Sequence, residues 1–125
     1  MIQYLFQPFQ IKGRHLKNRI VMPGIASFLI EDDGSITDKT VEHYRRRAAG
    51  GPAMVIVEAH AVSEEGIVSL HQARIFDDRF IEGLSRIARV MKSEGALPAI
   101  QIHHSGRQTS SRVIKRKPFA PSTGE

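Results

Sequence analysis

The chain has 125 residues, 41% hydrophobic and 25% charged, the balance of one folded domain with a core of its own. It contains no cysteine, which excludes disulfides, thiolate nucleophiles and cysteine-ligated zinc or iron–sulfur centres from this segment, and no metal site is expected. No apolar run approaches the roughly 18 residues of a membrane span, and the start of the chain lacks a basic stretch followed by a long apolar one, so no membrane is expected and the cytoplasm is the default location.

Eighteen Lys and Arg against thirteen Asp and Glu give a formal charge of +5, concentrated at Arg45-Arg46-Arg47 and over residues 112–117. A basic surface attracts phosphate, but no base-stacking aromatics interleave with these charges, which argues against a nucleic-acid partner.

In chain order, Phe9, Ile11 and Leu16 flank the turn-like Lys12-Gly13-Arg14, which predicts a short hairpin. Arg19-Ile20-Val21-Met22 reads as the first strand of a sheet. Pro23-Gly24 ends it, and glycine there lets the backbone approach a ligand closely. A loop over residues 25–36 follows, turning at Asp32-Asp33-Gly34-Ser35.

A helix is predicted from Thr37, whose hydroxyl can cap the first turn, to about Ala49, where Gly50-Gly51-Pro52 stops it. Val41, Tyr44 and Ala48 form its inward stripe, which makes the triple arginine a solvated helix end rather than a binding patch. The nearly continuous apolar run over residues 53–59 has the character of a parallel strand covered on both faces. Glu58, near its end, is either a general base or an acceptor that orients backbone amides. After a loop over residues 62–76, Asp77 or Asp78 caps a second helix in which Ile81, Leu84, Ile87, Ala88 and Met91 recur at helical spacing, with Gly95 as its stop.

The third strand, residues 98–103, gathers amide, imidazole and guanidinium groups in Gln101-Ile102-His103-His104-Ser105-Gly106-Arg107. Alternation puts Gln101 and His103 on one side and Ile102 and His104 on the other. Residues 108–125 read as a polar, basic, proline-punctuated loop or tail. Strand, helix, strand, helix, strand argues for an α/β fold with a parallel sheet and right-handed crossovers, either open or part of a barrel. No GxGxxG follows the first strand and no phosphate-loop signature occurs, so neither site is supported.

The blocks Leu5-Phe6-Gln7-Pro8, Leu16-Lys17-Asn18-Arg19-Ile20-Val21-Met22-Pro23, Gly34-Ser35-Ile36-Thr37, His43-Tyr44-Arg45-Arg46-Arg47-Ala48, Val57-Glu58-Ala59 and Gln101-Ile102-His103-His104-Ser105-Gly106-Arg107 resemble, in order and spacing, the N-terminal part of the old yellow enzyme family. The resemblance covers nearly the whole chain. It implies the N-terminal part of a TIM (β/α)8 barrel, with the bottom-closing hairpin and the first three βα units. Residues 1–125 would then form a partial FMN-dependent oxidoreductase barrel domain.

The family's activity, carried over as an expectation, is NAD(P)H-dependent reduction of activated alkenes by FMN, of the enoate or dienoyl-CoA reductase type. The same resemblance places Pro23 and Gly24 where backbone groups meet the flavin ring, Ala59 beside its pyrimidine edge and Gln101 where an amide answers that edge's donor and acceptor sites. His103 is the candidate substrate contact, against the alternative of a histidine satisfied by backbone. His104 and Arg107 match a family motif, for which the resemblance implies a loop-holding role, with contact to the flavin or the substrate as the alternative for Arg107.

Ile25 stands where some relatives carry a potential-tuning cysteine, Ser27 where some carry a substrate-binding tyrosine and Gln108 where some carry a basic residue. These departures favour the dienoyl-CoA or enoate reductase side of the family. A three-stranded unit has open sheet edges, which suggests a piece that binds FMN weakly or not at all alone, or a non-catalytic half-barrel completed by a partner or by itself.

Overall fold

The computed structural model describes residues 2–122. Among these, strands β1 (Phe9–Ile11) and β2 (Arg14–Leu16) pair antiparallel, with Phe9 opposite Leu16. The turn between them has positive φ at both Lys12 and Gly13, the backbone that suits a tight hairpin. Leu16, at 1% exposure, anchors the hairpin to the rest of the molecule.

The remaining elements are β3 (Val21–Met22), α1 (Asp38–Ala49), β4 (Met54–Ala61), α2 (Ile81–Ser93), β5 (Leu97–His103) and α3 (Ser111–Ile114). The sheet runs β3-β4-β5, with both pairings parallel. The first sheet strand is shorter than Arg19 to Met22. Just before it the Asn18 side chain ties the two strands together: its oxygen accepts from Ile20 N at 3.0 Å and Ala53 N at 3.1 Å, alongside the backbone bond from Ala53 N to Ile20 O at 2.9 Å.

Thr37 caps α1 as expected, accepting from Thr40 N. Tyr44 and Ala48 are fully buried against Val55 and Val57 of β4 and Ile87 and Met91 of α2, and Val41 and Met22 pack onto this core. Each of these larger side chains contributes about 1.5–3 kcal/mol on burial. Arg45 and Arg46 at the end of α1 both pair with Glu42, and Arg45 also with Glu94, so they form a bridged, largely solvated helix end.

Ile81 departs from its expected inward position, at 56% exposure. Asp77 caps a single 3-10 turn, Asp78–Phe80, that precedes α2, and Phe80 takes the buried place at the helix entry.

β4 continues two residues beyond the run read from sequence because His60 and Ala61 stay paired with Ile102 and His103 of β5, and on its other side Ala61 bonds a returning segment, donating to Ala73 O at 2.9 Å and accepting from Ile75 N at 3.0 Å. The tail after Gln108 is likewise not wholly loop. Ser111–Ile114 form one helical turn whose Ile114 packs on Ala61 and Ile67. The last part of the expected tail, residues 123–125, lies outside the described residues.

Candidate functional site

The three parallel strands all point their C-terminal ends the same way, and in such sheets that end carries the chemistry. The geometry there begins with Gly24, two residues after β3. A Cβ built on Gly24 would lie 2.6 Å from Gln101 Oε1 and 3.4 Å from Val57 O. Glycine is therefore what lets the Gln101 amide lie directly against the chain.

A β-bulge between Val57 and Ala59 shifts the register of β4 against β5, so that Ala59 stands opposite Gln101. These two residues, with Ala26, Phe28, Glu58 and Gln72, help line a cleft of about 200 Å³. The cleft thus has a small side chain, a primary amide and an aromatic ring on its walls.

Glu58 is 3% exposed and holds this corner together. It accepts from Ser27 Oγ at 2.6 Å, Ser27 N at 3.1 Å and the Tyr44 hydroxyl at 3.2 Å, while its own N–H donates to that hydroxyl at 2.9 Å. Burial pushes the Tyr44 hydroxyl well above the usual tyrosine range, so it stays protonated and able to donate. Of the two roles open to Glu58, the fold gives it the orienting one: it joins the loop after β3, helix α1 and strand β4.

His60 follows on the same strand, fully buried, with Nδ1 2.6 Å from Glu58 O and no partner for Nε2 among the described residues. Burial pushes its pKa below the ordinary histidine value.

Of the residues proposed from sequence, Ala59 and Gln101 are brought together in the cleft wall and Gly24 packs against Gln101. Pro23 is exposed at the start of the loop and His103 lies beside the cleft, neither among its lining residues. His103 does have a partner, the side chain of Gln72 at 3.1 Å. His104 accepts from Gly106 N at 3.0 Å, which fits the loop-holding role.

Ser27 gives its hydroxyl to Glu58 rather than to the cleft; its neighbours Ala26 and Phe28 line the wall instead. Phe28 has φ of 57°, a left-handed backbone that a bulky residue rarely adopts. Nothing in its residue type signals that conformation, and Gln72 reaches the site only through a loop that doubles back to β4. Among the described residues no group of three or more metal-ligating side chains comes together. No helix among them is long and apolar enough to cross a membrane.

A profile of the NADH:flavin oxidoreductase / NADH oxidase family matches residues 4–124. The NADPH dehydrogenase of Clostridium acetobutylicum is 36% identical over 118 residues, which cover 94% of this chain and 34% of that protein. Among solved structures, the old yellow enzyme homologue from Zymomonas mobilis is similar with a TM-score of 0.90 at 30% identity, over 96% of this chain and 33% of that one. Old Yellow Enzyme from Pichia sp. AKU4542 gives a TM-score of 0.89 at 28% identity, over 95% and 32%. The chain therefore spans about a third of the length of these relatives. The solved relatives are TIM barrels, and the strands and helices described above form part of such a barrel.

Proposed function

Because the chain belongs to the NADH:flavin oxidoreductase / NADH oxidase family, we propose that it supplies one wall of an FMN site in an NAD(P)H-dependent reductase of activated alkenes. The observation that carries this reading is the Gln101 amide held at the cleft against Gly24, opposite Ala59.

These residues fit a flavin. The edge of the ring system presents hydrogen-bond donors and acceptors side by side, and a primary amide offers both. Ala59 leaves room for a flat ring, and the close approach at Gly24 is one that any Cβ would obstruct. When bound, FMN would supply hydride transfer from NAD(P)H to the alkene. The chain's own part is to orient and to exclude water: Gln101 fixes the ring edge, the backbone at Pro23 and Gly24 supports it, and His103 faces the substrate side. The enoate or dienoyl-CoA class is the substrate reading that the departures at Ile25 and Ser27 favour.

One wall leaves most of a flavin in water, so the chain alone is expected to bind FMN weakly. Titrating FMN into the purified chain and following flavin fluorescence should give shallow quenching that Gln101→Leu weakens further. Quenching indifferent to Gln101→Leu would overturn the site, and tight one-to-one binding would overturn the single-wall reading.

A second reading, association of two copies through the sheet, rests on a different observation. Among the described residues nothing pairs with the outer edge of β5, Ile102 on that strand is 69% exposed, and an apolar groove of about 310 Å³ runs between α2 and β5 past Leu84, Ile87, Pro98 and Ile100. Sedimentation showing a stable monomer at high concentration would remove it.

A further inference from the structure

Gln72 is buried at 6% exposure, and its two side-chain ends are identified by what they face. The backbone N–H of Val68, which can only donate, lies 2.8 Å from Oε1, so that end is the carbonyl oxygen. The opposite end is then the NH2 group, and it stands 3.1 Å from Nδ1 of His103.

An amide NH2 donates and has no lone pair to offer. His103 Nδ1 must therefore accept, and a neutral imidazole that accepts at Nδ1 carries its proton on Nε2. The loop bearing Gln72 is itself held. Gln72 N donates to Ser69 O at 3.1 Å, and Ala73 O and Ile75 N bond the end of β4 through Ala61. The donor is thus mounted on a segment tied to the sheet, facing the last residue of β5.

We propose that Gln72 is a positioning residue that locks His103 in the Nε2–H form, so that a ligand over the C-terminal end of β5 meets an N–H donor and is selected for an acceptor oxygen such as an enoyl carbonyl. Gln72 touches no reacting atom in this account; it acts through His103. The proposal deepens the reading of the cleft given above and rests on it for the identity of the ligand. The tautomer itself needs no ligand.

The test is imidazole nitrogen NMR on the full 125-residue chain, without flavin. In the unmodified chain His103 should show an unprotonated Nδ1 and a protonated Nε2. Gln72→Glu keeps the Val68 bond but sets a carboxylate oxygen against Nδ1, and Nδ1 should then carry a proton, with Nε2 either bare or protonated as well. A mere packing role for Gln72 would not change whether Nδ1 carries a proton. An unmodified chain with the proton on Nδ1, or a folded Gln72→Glu chain with the tautomer unchanged, overturns the proposal. If Gln72→Glu does not fold, the reading on the unmodified chain still decides. Failure here leaves the flavin reading standing, because that is read separately at Gln101.

Discussion

At the scale of single residues, the site depends on what is small and what is satisfied. Gly24→Ala places a Cβ 2.6 Å from Gln101 Oε1, and the flexible amide is the group able to move. The fold should survive with a melting temperature within a few degrees of the parent, while FMN-induced changes at Gln101 disappear. Chain melting together with amide NMR checks both halves of that expectation. Tyr44→Phe removes the hydroxyl that serves both Glu58 N and Glu58 Oε1 in a buried position. Urea unfolding should show a loss of about 1–3 kcal/mol, the cost of leaving buried polar groups without partners. The placement of some of these residues is legible in the sequence. Gln101, Ala59 and Gly24 are named by the family resemblance, and the structure sets them near one another, with their part at a flavin standing as proposed. Phe28 and Gln72 are not so named, because one owes its place to a left-handed backbone and the other to a loop closing on Ala61.

Elements were read best where one physical period governs them. Helix α1 begins at the predicted cap and buries the predicted stripe, since Thr37, Tyr44 and Ala48 each act within a few residues of chain. Thr37→Ala removes the oxygen that accepts from Thr40 N and the hydroxyl that donates to Leu29 O. It should cost about 1 kcal/mol in chemical denaturation, with Thr37→Ser close to the parent. Three features escaped the sequence for a common reason: each is set by a contact distant along the chain. Asn18 ties the first strand to β4 by reaching Ala53, β4 is drawn out to Ala61 by Ile102 and His103 of β5, and α3 forms where Ile114 finds Ala61 and Ile67. The bulge at Val57/Ala59 belongs with them, since it is defined only by register against β5.

For the whole molecule, acid is the sharpest global probe. Burial depresses the pKa of His60, and to a lesser extent of burial that of His43, from the ordinary 6.5. The unfolded chain therefore binds protons that the folded chain refuses, so stability is full above about pH 6.5 and declines as pH falls below it. The carboxylates held low by their partners, Asp33 by Ser35 and Glu42 by Arg45 and Arg46, begin to matter only as pH falls through the ordinary carboxylate range. A falling urea midpoint between pH 7 and pH 5 thus belongs to the histidines, and His60→Asn should make it shallower, leaving the part due to His43. The parallel order β3-β4-β5 brings Gly24, Ala59 and Gln101 to one end of the sheet, and the central claim is that this end receives FMN. Backbone and side-chain amide NMR during an FMN titration tests it most directly. Shifts confined to Gly24, Ala59 and the Gln101 side chain are predicted; no shifts, or shifts centred on Arg45, Arg46 and Arg47 instead, would contradict it.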